Sequence, residues 1–542
     1  MTPKKLVLAV IDGAKPAMLE RAVAAGQAPI IELLIERGSY VRDAVAVFPS
    51  VTPVCASSIA TGVAQDRHLI PSMNWYHREE ARYVEYGSSL RASWKAGFAR
   101  QLTDLIYNMN RAHLSPEVPT IFESLDDAGL RTACTTYLIY RGRYRHEPSL
   151  DTAMTRFASR VLMRHPVMGA RELFYADIFA SRETNCRGQL GMPGVRDQHS
   201  GCVGVHLVEH DLFDFLLLSL PDNDAHSHKN GPHAQVDSIA EADRQLARLV
   251  EAGGGAEAFL DSHAVIVAAD HSHCAVERSI PLAEEFSDFA VLRPADTQPQ
   301  AAEIALCPAQ RSAMIYLLKP EAALRREIIN RARAIPGVDL TMWREDSPHG
   351  PRAVLAGERG ELRFAPGGEL ADPRGRRWRV SGDLATIDAE RDGGVLRSEH
   401  YPDALGRAWD ALTCSTSGEI LFSAAPAYEF CDWGGAHHVG GGSHGSLHAA
   451  DSLAPLICAG LDGTVRREQW SIKDIAPLIR AHFGVRSTGR PAARRSPRSA
   501  ARPRSASGAA GAAAPAPAPG PAPAPDGEVA PPLATGRRGS GD

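Results

Sequence analysis

Three predominantly apolar runs of this sequence each end in an aspartate, and this pattern constrains the fold more than any other feature. They are residues 6–11 before Asp12, residues 213–221 before Asp222 and residues 264–269 before Asp270. Buried strands of parallel sheets have such uninterrupted apolar sequences, and ligands of these folds bind beyond the carboxyl ends of the strands. The pattern therefore predicts an α/β fold, with a mostly parallel central sheet, helices on both of its faces, and a functional site at one edge of the sheet.

Histidines accompany two of these aspartates. His226 follows Asp222 by four residues, and His271 is adjacent to Asp270. A further imidazole, His444, lies in the glycine-rich segment 440–445. Carboxylates offset the charge of divalent cations and imidazoles add directional nitrogen ligands, so these residues and Asp12 predict a two-metal site. Ligands of this kind without thiolates favour zinc, although carboxylate-rich sites also accept manganese.

A candidate nucleophile, Thr52, stands directly before Pro53. Proline suits the first position of a helix, which makes Thr52 the expected N-cap of a helix that ends near Thr61 before Gly62. The N–H groups at a helix N-terminus favour a bound phosphate. A metal ion on the threonine oxygen would lower the hydroxyl pKa and activate it for attack on phosphorus.

These motifs resemble, in order along the chain, those of the alkaline phosphatase superfamily, and within it the type I phosphodiesterase/nucleotide pyrophosphatase family. The resemblance covers roughly residues 5–480, and its motifs lie at residues 7–16, 28–34, 48–53, 60–62, 221–226, 269–272 and 443–445. It implies a metal-dependent enzyme that hydrolyses a phosphodiester or a nucleotide pyrophosphate through a phospho-threonine intermediate on Thr52.

The resemblance also implies a role for individual residues. One zinc ion would bind Asp222, His226 and His444. The other would bind Asp12, Thr52, Asp270 and His271. Asn74 resembles the family asparagine that holds a phosphoryl oxygen. The residues after Asp12, after Thr52 and after Asp222 differ from the usual family sequence, so the identity of the substrate stays open.

Two alternatives remain. The same site would serve a phosphomonoesterase or a phosphonate hydrolase, but a monoester carries one more negative charge and needs additional cations near the phosphate. Lys15 and the arginines of residues 141–145 are the candidates for that task. An alternative of another class is a non-catalytic metal-binding domain. The complete set of predicted ligands argues against it.

The 542 residues suffice for one large catalytic domain, predicted to span residues 1–485, with insertions at about 67–204 and 336–429. Within the first insertion, residues 131–136 predict a strand, and residues 154–179 predict a helix with one break at Pro166. Residues 486–542 are rich in arginine, proline and alanine, which predicts a disordered tail.

Composition indicates which partners and which cellular location to expect for the protein. The 59 basic and 64 acidic residues give no sign of nucleic-acid binding. No apolar run is long enough for a signal peptide or a membrane helix. The nine cysteines form no Cys-x-x-Cys pair, which favours reduced thiols and a cytoplasmic location. A small-molecule phosphate ester is therefore the only partner predicted, and the oligomeric state is open.

Overall fold

The computed structural model describes residues 3–149, 165–296, 298–461 and 467–486. A central sheet of eight strands organises this part of the chain. In chain order the strands are β1 (Lys5–Ile11), β2 (Gly38–Val45), β3 (Thr132–Thr135), β4 (Glu172–Tyr175), β5 (Phe179–Ala180), β6 (Phe215–Leu220), β7 (His263–Ala268) and β8 (Leu453–Ala459). Across the sheet the order is β2–β8–β7–β1–β6–β3–β4–β5.

The sheet is mostly parallel, as predicted. Strands β7, β1, β6, β3 and β4 run parallel to one another. At the two sides, β8 and β5 pair antiparallel with this group, and β2 pairs antiparallel with β8. The three apolar runs form the adjacent strands β7, β1 and β6. Because Ile11 pairs with Leu220 and Val10 pairs with Ala268, the residues that follow these strands emerge together at the carboxyl edge.

Helices cover both faces of the sheet, which confirms the predicted layers. Alternate residues of β1 enter different cores, because successive side chains of a strand point to opposite faces. One core contains residues of the helices Thr52–Thr61, Ile121–Asp127 and Ile475–His482. The other contains residues of the helices Pro16–Ala24, Pro29–Glu36, Arg196–Glu209 and Val236–Ala252.

A second sheet of ten strands forms a lobe beside this sandwich. Its strands are Val291–Leu292, Ile304–Ala309, Ser312–Leu317, Val338–Glu345, Arg352–Gly357, Gly360–Ala371, Arg377–Gly382, Glu390–Asp392, Val395–Arg397 and Ile420–Ala424. The helices Ala322–Ala334 and Ala404–Thr413 pack on it. The lobe therefore also uses strands that precede residue 336, where the second insertion was predicted to begin.

The remaining elements are short. Paired strands are Asn74–His77 with Arg82–Glu85, Tyr144–His146 with Val167–Gly169, and Cys274–Ile280 with Ala427–Phe430 and Gly442–Ser443. Further α-helices are Gln65–His68, Leu90–Ala96, Phe98–Thr103, Asp222–Asn230, Ala256–Ser262, Leu282–Glu285 and Ala449–Ser452. A π-helix spans Asp104–His113, and 3₁₀ turns span Gln189–Gly191, Pro232–Ala234, Pro299–Ala301, Leu384–Ile387 and Ile472–Asp474.

Within the first predicted insertion, the structure confirms one element and corrects another. The strand expected at residues 131–136 is β3. The helix expected at residues 154–179 is wrong from Val167 onward, where the chain forms the strand Val167–Gly169 followed by β4 and β5. Residues 154–164 lie outside the described ranges. Residues 172–175 form a strand because they pair in parallel with β3. Both strands are buried, and this sheet pairing overrides the local helical pattern of the sequence.

The cysteines require a second correction. Cys186 and Cys202 form a disulfide, with a Cα–Cα distance of 5.7 Å, whereas the sequence predicts reduced thiols. The expected cytoplasmic location was based on reduced cysteines. Because disulfides are rare in cytosolic proteins, the cysteines no longer support that location. No helix in the described ranges is long and apolar enough to cross a membrane. The predicted tail from residue 487 onward lies outside the described residues.

Candidate metal centre and active site

The carboxyl ends of β1 and β7 bring three of the predicted ligands together. Nε2 of His271 lies 3.5 Å from Oδ1 of Asp12 and 3.5 Å from Oδ2 of Asp270. One ligand atom from each of the three residues falls within 4.8 Å of the others. Asp270 and His271 are buried, and Asp270 also accepts a hydrogen bond from the backbone N–H of Gly13 at 3.1 Å. The two strands thus position this group directly.

A second group lies beside the first and is centred on Asp224. Oδ1 of Asp224 is 2.9 Å from Nε2 of His273, 3.3 Å from Nε2 of His228 and 3.4 Å from Nε2 of His444. His271 belongs to both groups, and its ring stacks on that of His444 with a centroid distance of 3.6 Å. The predicted ligand His444 is therefore brought to the site.

The Nδ1 atoms of two of these histidines, His444 and His228, are fixed by the backbone. His444 Nδ1 donates to the carbonyl of Ser50 at 2.8 Å, and His228 Nδ1 donates to the carbonyl of Gly442 at 2.8 Å. Such bonds set the tautomer and leave Nε2 with a lone pair, as in metal-bound histidines. In both residues, Nε2 is the atom that faces Asp224.

Asp222 and His226, which the sequence predicts as ligands, are not brought to this site. The carboxylate of Asp222 accepts hydrogen bonds from the N–H of Gly194 at 2.8 Å and from Nε of Arg196 at 2.9 Å. His226 bonds through Nε2 to the carbonyl of Ala234 at 2.9 Å. Both residues are satisfied by neighbours that are absent from the metal-ligating groups.

Helix geometry explains this placement. The helix Asp222–Asn230 contains the spacing Asp-x-x-x-His twice, as Asp222 with His226 and as Asp224 with His228. Successive helical residues are rotated by about 100°, so the two pairs are about 200° apart and lie on opposite faces. The face that carries Asp224 and His228 points to the carboxyl edge of the sheet, and the other face points away.

Thr52 lies in the first group. Its Oγ1 is 3.3 Å from Nε2 of His271. The helix starts at Thr52 itself, with Val51 as the N-cap, because the carbonyl of Val51 accepts the first helical hydrogen bonds. Thr52 therefore takes the first helical position rather than the predicted cap. The end of the helix is as predicted, with Gly62 in the left-handed region at a φ of 78°.

Asn74 is placed differently from expectation. It begins the strand Asn74–His77, where its Nδ2 donates to Oε2 of Glu85 at 2.9 Å. Neither Asn74 nor Glu85 lines the cavity above Thr52. The structure therefore does not bring Asn74 to the position expected of a residue that holds a phosphoryl oxygen.

The predicted cationic groups are also engaged away from Thr52. Lys15 Nζ donates to the carbonyls of His273 and Ala450 at 3.0 and 2.9 Å, and burial lowers its pKa. Arg141 pairs with Glu123. Neither Lys15 nor residues 141–145 line the cavity that contains Thr52.

Electrostatics show that the site fits divalent cations. Burial raises the pKa of Asp12 well above its ordinary value, and the charges of Asp270 and Asp224 add to this. Burial likewise raises the pKa of Asp270 to about 6. The pKa of Asp224 moves the other way: burial would raise it, but the neighbouring histidines outweigh burial and hold it well below its ordinary value. Crowded buried carboxylates repel one another, and a bound cation removes that repulsion.

Unpartnered atoms point to the same chemistry. Oδ1 of Asp12, Nε2 of His444 and Nδ1 of His273 are buried without a hydrogen-bond partner among the described residues. Burial lowers the pKa of His271 and of His273 well below the ordinary value, so both imidazoles are neutral and suited to coordination. Carboxylate oxygens and neutral imidazole nitrogens together are the donor set of zinc sites.

A cavity of roughly 340 Å³ lies over these groups and contains Thr52, Asp12, Asp224 and Asp270. Its walls are largely apolar and aromatic, and include Met73, Tyr86, Leu102, Leu105, Ile106, Tyr137, Leu138, Tyr175 and Ile178. Among the described residues that line it, Arg196 is the one lysine or arginine, and its guanidinium already pairs with Asp222 at 2.9 Å. The cavity therefore combines a metal-ligating floor with apolar walls.

The fold and the site together define a protein of the alkaline phosphatase superfamily. The family model for type I phosphodiesterase/nucleotide pyrophosphatase matches residues 6–346, and the chain belongs to this family. Members of the family are metal-dependent, and membership supports a hydrolase of the phosphodiesterase/pyrophosphatase type. The resemblance noted from the sequence motifs is thereby confirmed.

Solved structures give the same fold at low identity. A phosphonoacetate hydrolase from Sinorhizobium meliloti 1021, in complex with phosphonoacetate, has a TM-score of 0.53 at 18% identity, covering 89% of this chain and 95% of that one. Human ectonucleotide pyrophosphatase/phosphodiesterase 5 has a TM-score of 0.51 at 13% identity, covering 90% and 96%. A search of curated proteins finds no match. At these identities the likeness establishes the fold alone.

Proposed function

We propose that this protein hydrolyses phosphodiesters through a covalent intermediate on Thr52. The observation that carries the proposal is the position of Thr52, which lines the cavity and whose Oγ1 lies 3.3 Å from His271 Nε2. In the first step Oγ1 bonds to phosphorus and the bond to the leaving alcohol breaks, with a proton passing to that alcohol. Water then attacks phosphorus, releases the phosphate monoester and restores the threonine hydroxyl.

Two sets of residues would hold the metal ions. Asp12, Asp270, His271 and the hydroxyl of Thr52 form one set. Asp224, His228 and His444 form the other, with His273 against Asp224. When bound, two divalent ions, of which zinc suits these donors best and manganese also fits, supply charge neutralisation and lower the pKa of the hydroxyl.

The cavity favours a diester over the alternatives. A phosphate monoester or a carboxylated phosphonate carries an additional negative charge, which needs an available cation. Arg196 is the one cation on the described walls, and it is engaged by Asp222. A diester carries one charge, and its second ester substituent fits an apolar cavity of roughly 340 Å³.

The test compares variants of Thr52 in the metal-loaded protein. Thr52→Ala is expected to lose several orders of magnitude in turnover of bis(p-nitrophenyl) phosphate and to keep metal, whereas Thr52→Ser keeps measurable activity. Acid quench should trap a p-nitrophenyl phosphoryl group, bonded as a diester, on the peptide that contains Thr52. A near-normal rate in Thr52→Ala would refute covalent catalysis and favour direct attack by hydroxide. Full metal content without turnover of any ester would favour a non-catalytic metal-binding protein.

The ligand assignment has a matched control within one helix. Asp224→Asn is expected to reduce the metal content from about two ions per chain to about one, because it removes the central carboxylate of the second set. Asp222→Asn, two residues away on the opposite face, should keep both ions. Metal analysis of the purified variants decides the question, and loss of an ion in Asp222→Asn alone would show that the assigned face is wrong.

A further inference from the structure

Tyr137 lines the cavity that contains Thr52, and its hydroxyl is not used in a hydrogen bond within the described part of the protein. It follows β3 at the carboxyl edge of the sheet and is 5% exposed. Its hydroxyl oxygen is buried and has no hydrogen-bond partner among the described residues. Burying a hydroxyl without a partner costs free energy, and most buried polar groups of native proteins are satisfied. A phenylalanine would avoid this cost, so the hydroxyl suggests an external acceptor.

The surroundings of this hydroxyl identify the acceptor. Tyr137 lines the same cavity as Thr52, Asp12 and Asp270. Burial raises the pKa of Tyr137 well above its ordinary value, and the nearby charges of Asp270 and Asp12 add to this. The hydroxyl therefore stays protonated at neutral pH and acts as a donor. An anionic group attacked by Thr52 would lie in the cavity that Tyr137 also lines.

The donor expected from the family resemblance is occupied elsewhere. Nδ2 of Asn74 is bound to Glu85 at 2.9 Å and to the carbonyl of Val84 at 3.4 Å. Glu85 is itself anchored, because its Oε1 accepts from the backbone N–H of Gly87 at 2.8 Å. Releasing Asn74 would break this buried arrangement. The role of a neutral side-chain donor to the phosphoryl group is therefore open to another residue of the cavity.

We propose that the hydroxyl of Tyr137 donates a hydrogen bond to a nonbridging phosphoryl oxygen of the substrate, the task expected of Asn74. Tyr137 is then a catalytic residue that touches the reacting group. This inference rests on the proposed phosphodiesterase function. Removal of one positioned donor of this kind typically lowers turnover by a factor of about 10²–10³.

The first test measures binding rather than turnover, so that its outcome does not depend on finding the right ester. Metal-loaded Tyr137→Phe is titrated calorimetrically with orthovanadate, which mimics the phosphoryl group in transfer. We expect roughly 10- to 100-fold weaker vanadate binding with unchanged metal content and melting temperature. Tyr107→Phe is the control, since Tyr107 is a buried tyrosine outside the cavity whose oxygen accepts from the N–H of His165, and it should bind vanadate as the wild type does.

The second test uses phosphorothioate diesters in which sulfur replaces one nonbridging oxygen. Sulfur accepts hydrogen bonds poorly, so the wild type should lose rate on the diastereomer that presents sulfur to Tyr137. In Tyr137→Phe that diastereomer should lose no more rate than the other one. Unchanged vanadate affinity in Tyr137→Phe, or loss of a metal ion from it, would overturn the inference. Failure of the wild type to hydrolyse any ester would instead overturn the proposed function, leaving the vanadate comparison valid.

Discussion

Asp451→Asn is expected to destabilise the fold strongly while it leaves every proposed ligand in place. Asp451 and Arg311 form an ion pair in which both side chains are 0% exposed, with Nη1 and Oδ1 2.5 Å apart. Asp451 also accepts from the N–H and the hydroxyl of Ser446, at 2.8 and 2.5 Å. The backbone N–H of Arg311 donates to the carbonyl of His444 at 2.9 Å. The pair therefore holds the loop that carries a proposed metal ligand.

The expected magnitude follows from the burial of the pair. The amide of asparagine leaves the guanidinium of Arg311 buried without a counter-charge, which costs about 3–5 kcal/mol. Burial alone would raise the pKa of Asp451, but the charge of Arg311 and the bonds from Ser446 outweigh burial and lower it. The stabilisation from Asp451 is thus present at neutral pH and is lost as the pH falls through the depressed folded-state pKa.

Urea unfolding at pH 7, followed by circular dichroism, measures the effect. The matched control is Glu257→Gln in the surface pair of Arg37 and Glu257, whose side chains are 52% and 74% exposed. It should change the free energy of unfolding by less than about 1 kcal/mol. If Asp451→Asn costs no more than Glu257→Gln, the argument from burial is refuted. Reduced metal content in folded Asp451→Asn would show that the pair also supports the His444 loop.

Two further predictions concern the metal site and the disulfide. Burial raises the pKa of Asp270 to about 6, so protons compete with zinc below about pH 6; chelator competition should show weaker zinc binding at pH 5 than at pH 7.5, and equal affinity would contradict the assignment of Asp270. The bond between Cys186 and Cys202 closes a loop with a sequence separation of 16, so Cys186→Ala/Cys202→Ala should lose roughly 3 kcal/mol of stability. Peptide mapping after alkylation without reductant should recover the linked cysteines, and recovery of both as free thiols would show that the bond does not form.

The centre of the fold could be predicted because its signal is local. Strands β1, β6 and β7 are buried on both faces, and a fully buried strand has to be apolar throughout. The outer strands β4 and β5, at one side of the sheet, have no such sequence signal. β4 and β5 are short strands that depend on pairing with β3 and with each other, and a sequence pattern cannot display a partner some 40 residues away. The disulfide was missed for the same reason, since Cys186 precedes a helix and Cys202 lies within it, with no short motif that links them.

The site could be predicted in part because strand ends fix Asp12, Asp270 and His271, whereas a helix fixes Asp224 and His228. After a strand, the first residue must emerge at the carboxyl edge. Along a helix, a shift of two residues moves a ligand to the opposite face, and the doubled Asp-x-x-x-His spacing leaves both faces possible. The choice between the faces depends on where the helix meets the sheet, which the sequence pattern does not show.

The substrate preference depends on a part of the chain that strand patterns do not describe. Strands and two helices place most of the proposed ligands. Most of the apolar wall of the cavity, in contrast, comes from residues 73–138, between the nucleophile and β6. In that segment a π-helix brings Leu105 and Ile106 to the wall, and β3 places Tyr137 at its end. Metal ligation and substrate choice can therefore vary independently. A chain that keeps the ligands but replaces Leu105, Ile106 or Leu138 with lysine or arginine would be expected to gain the cation that a monoester or a carboxylated phosphonate requires.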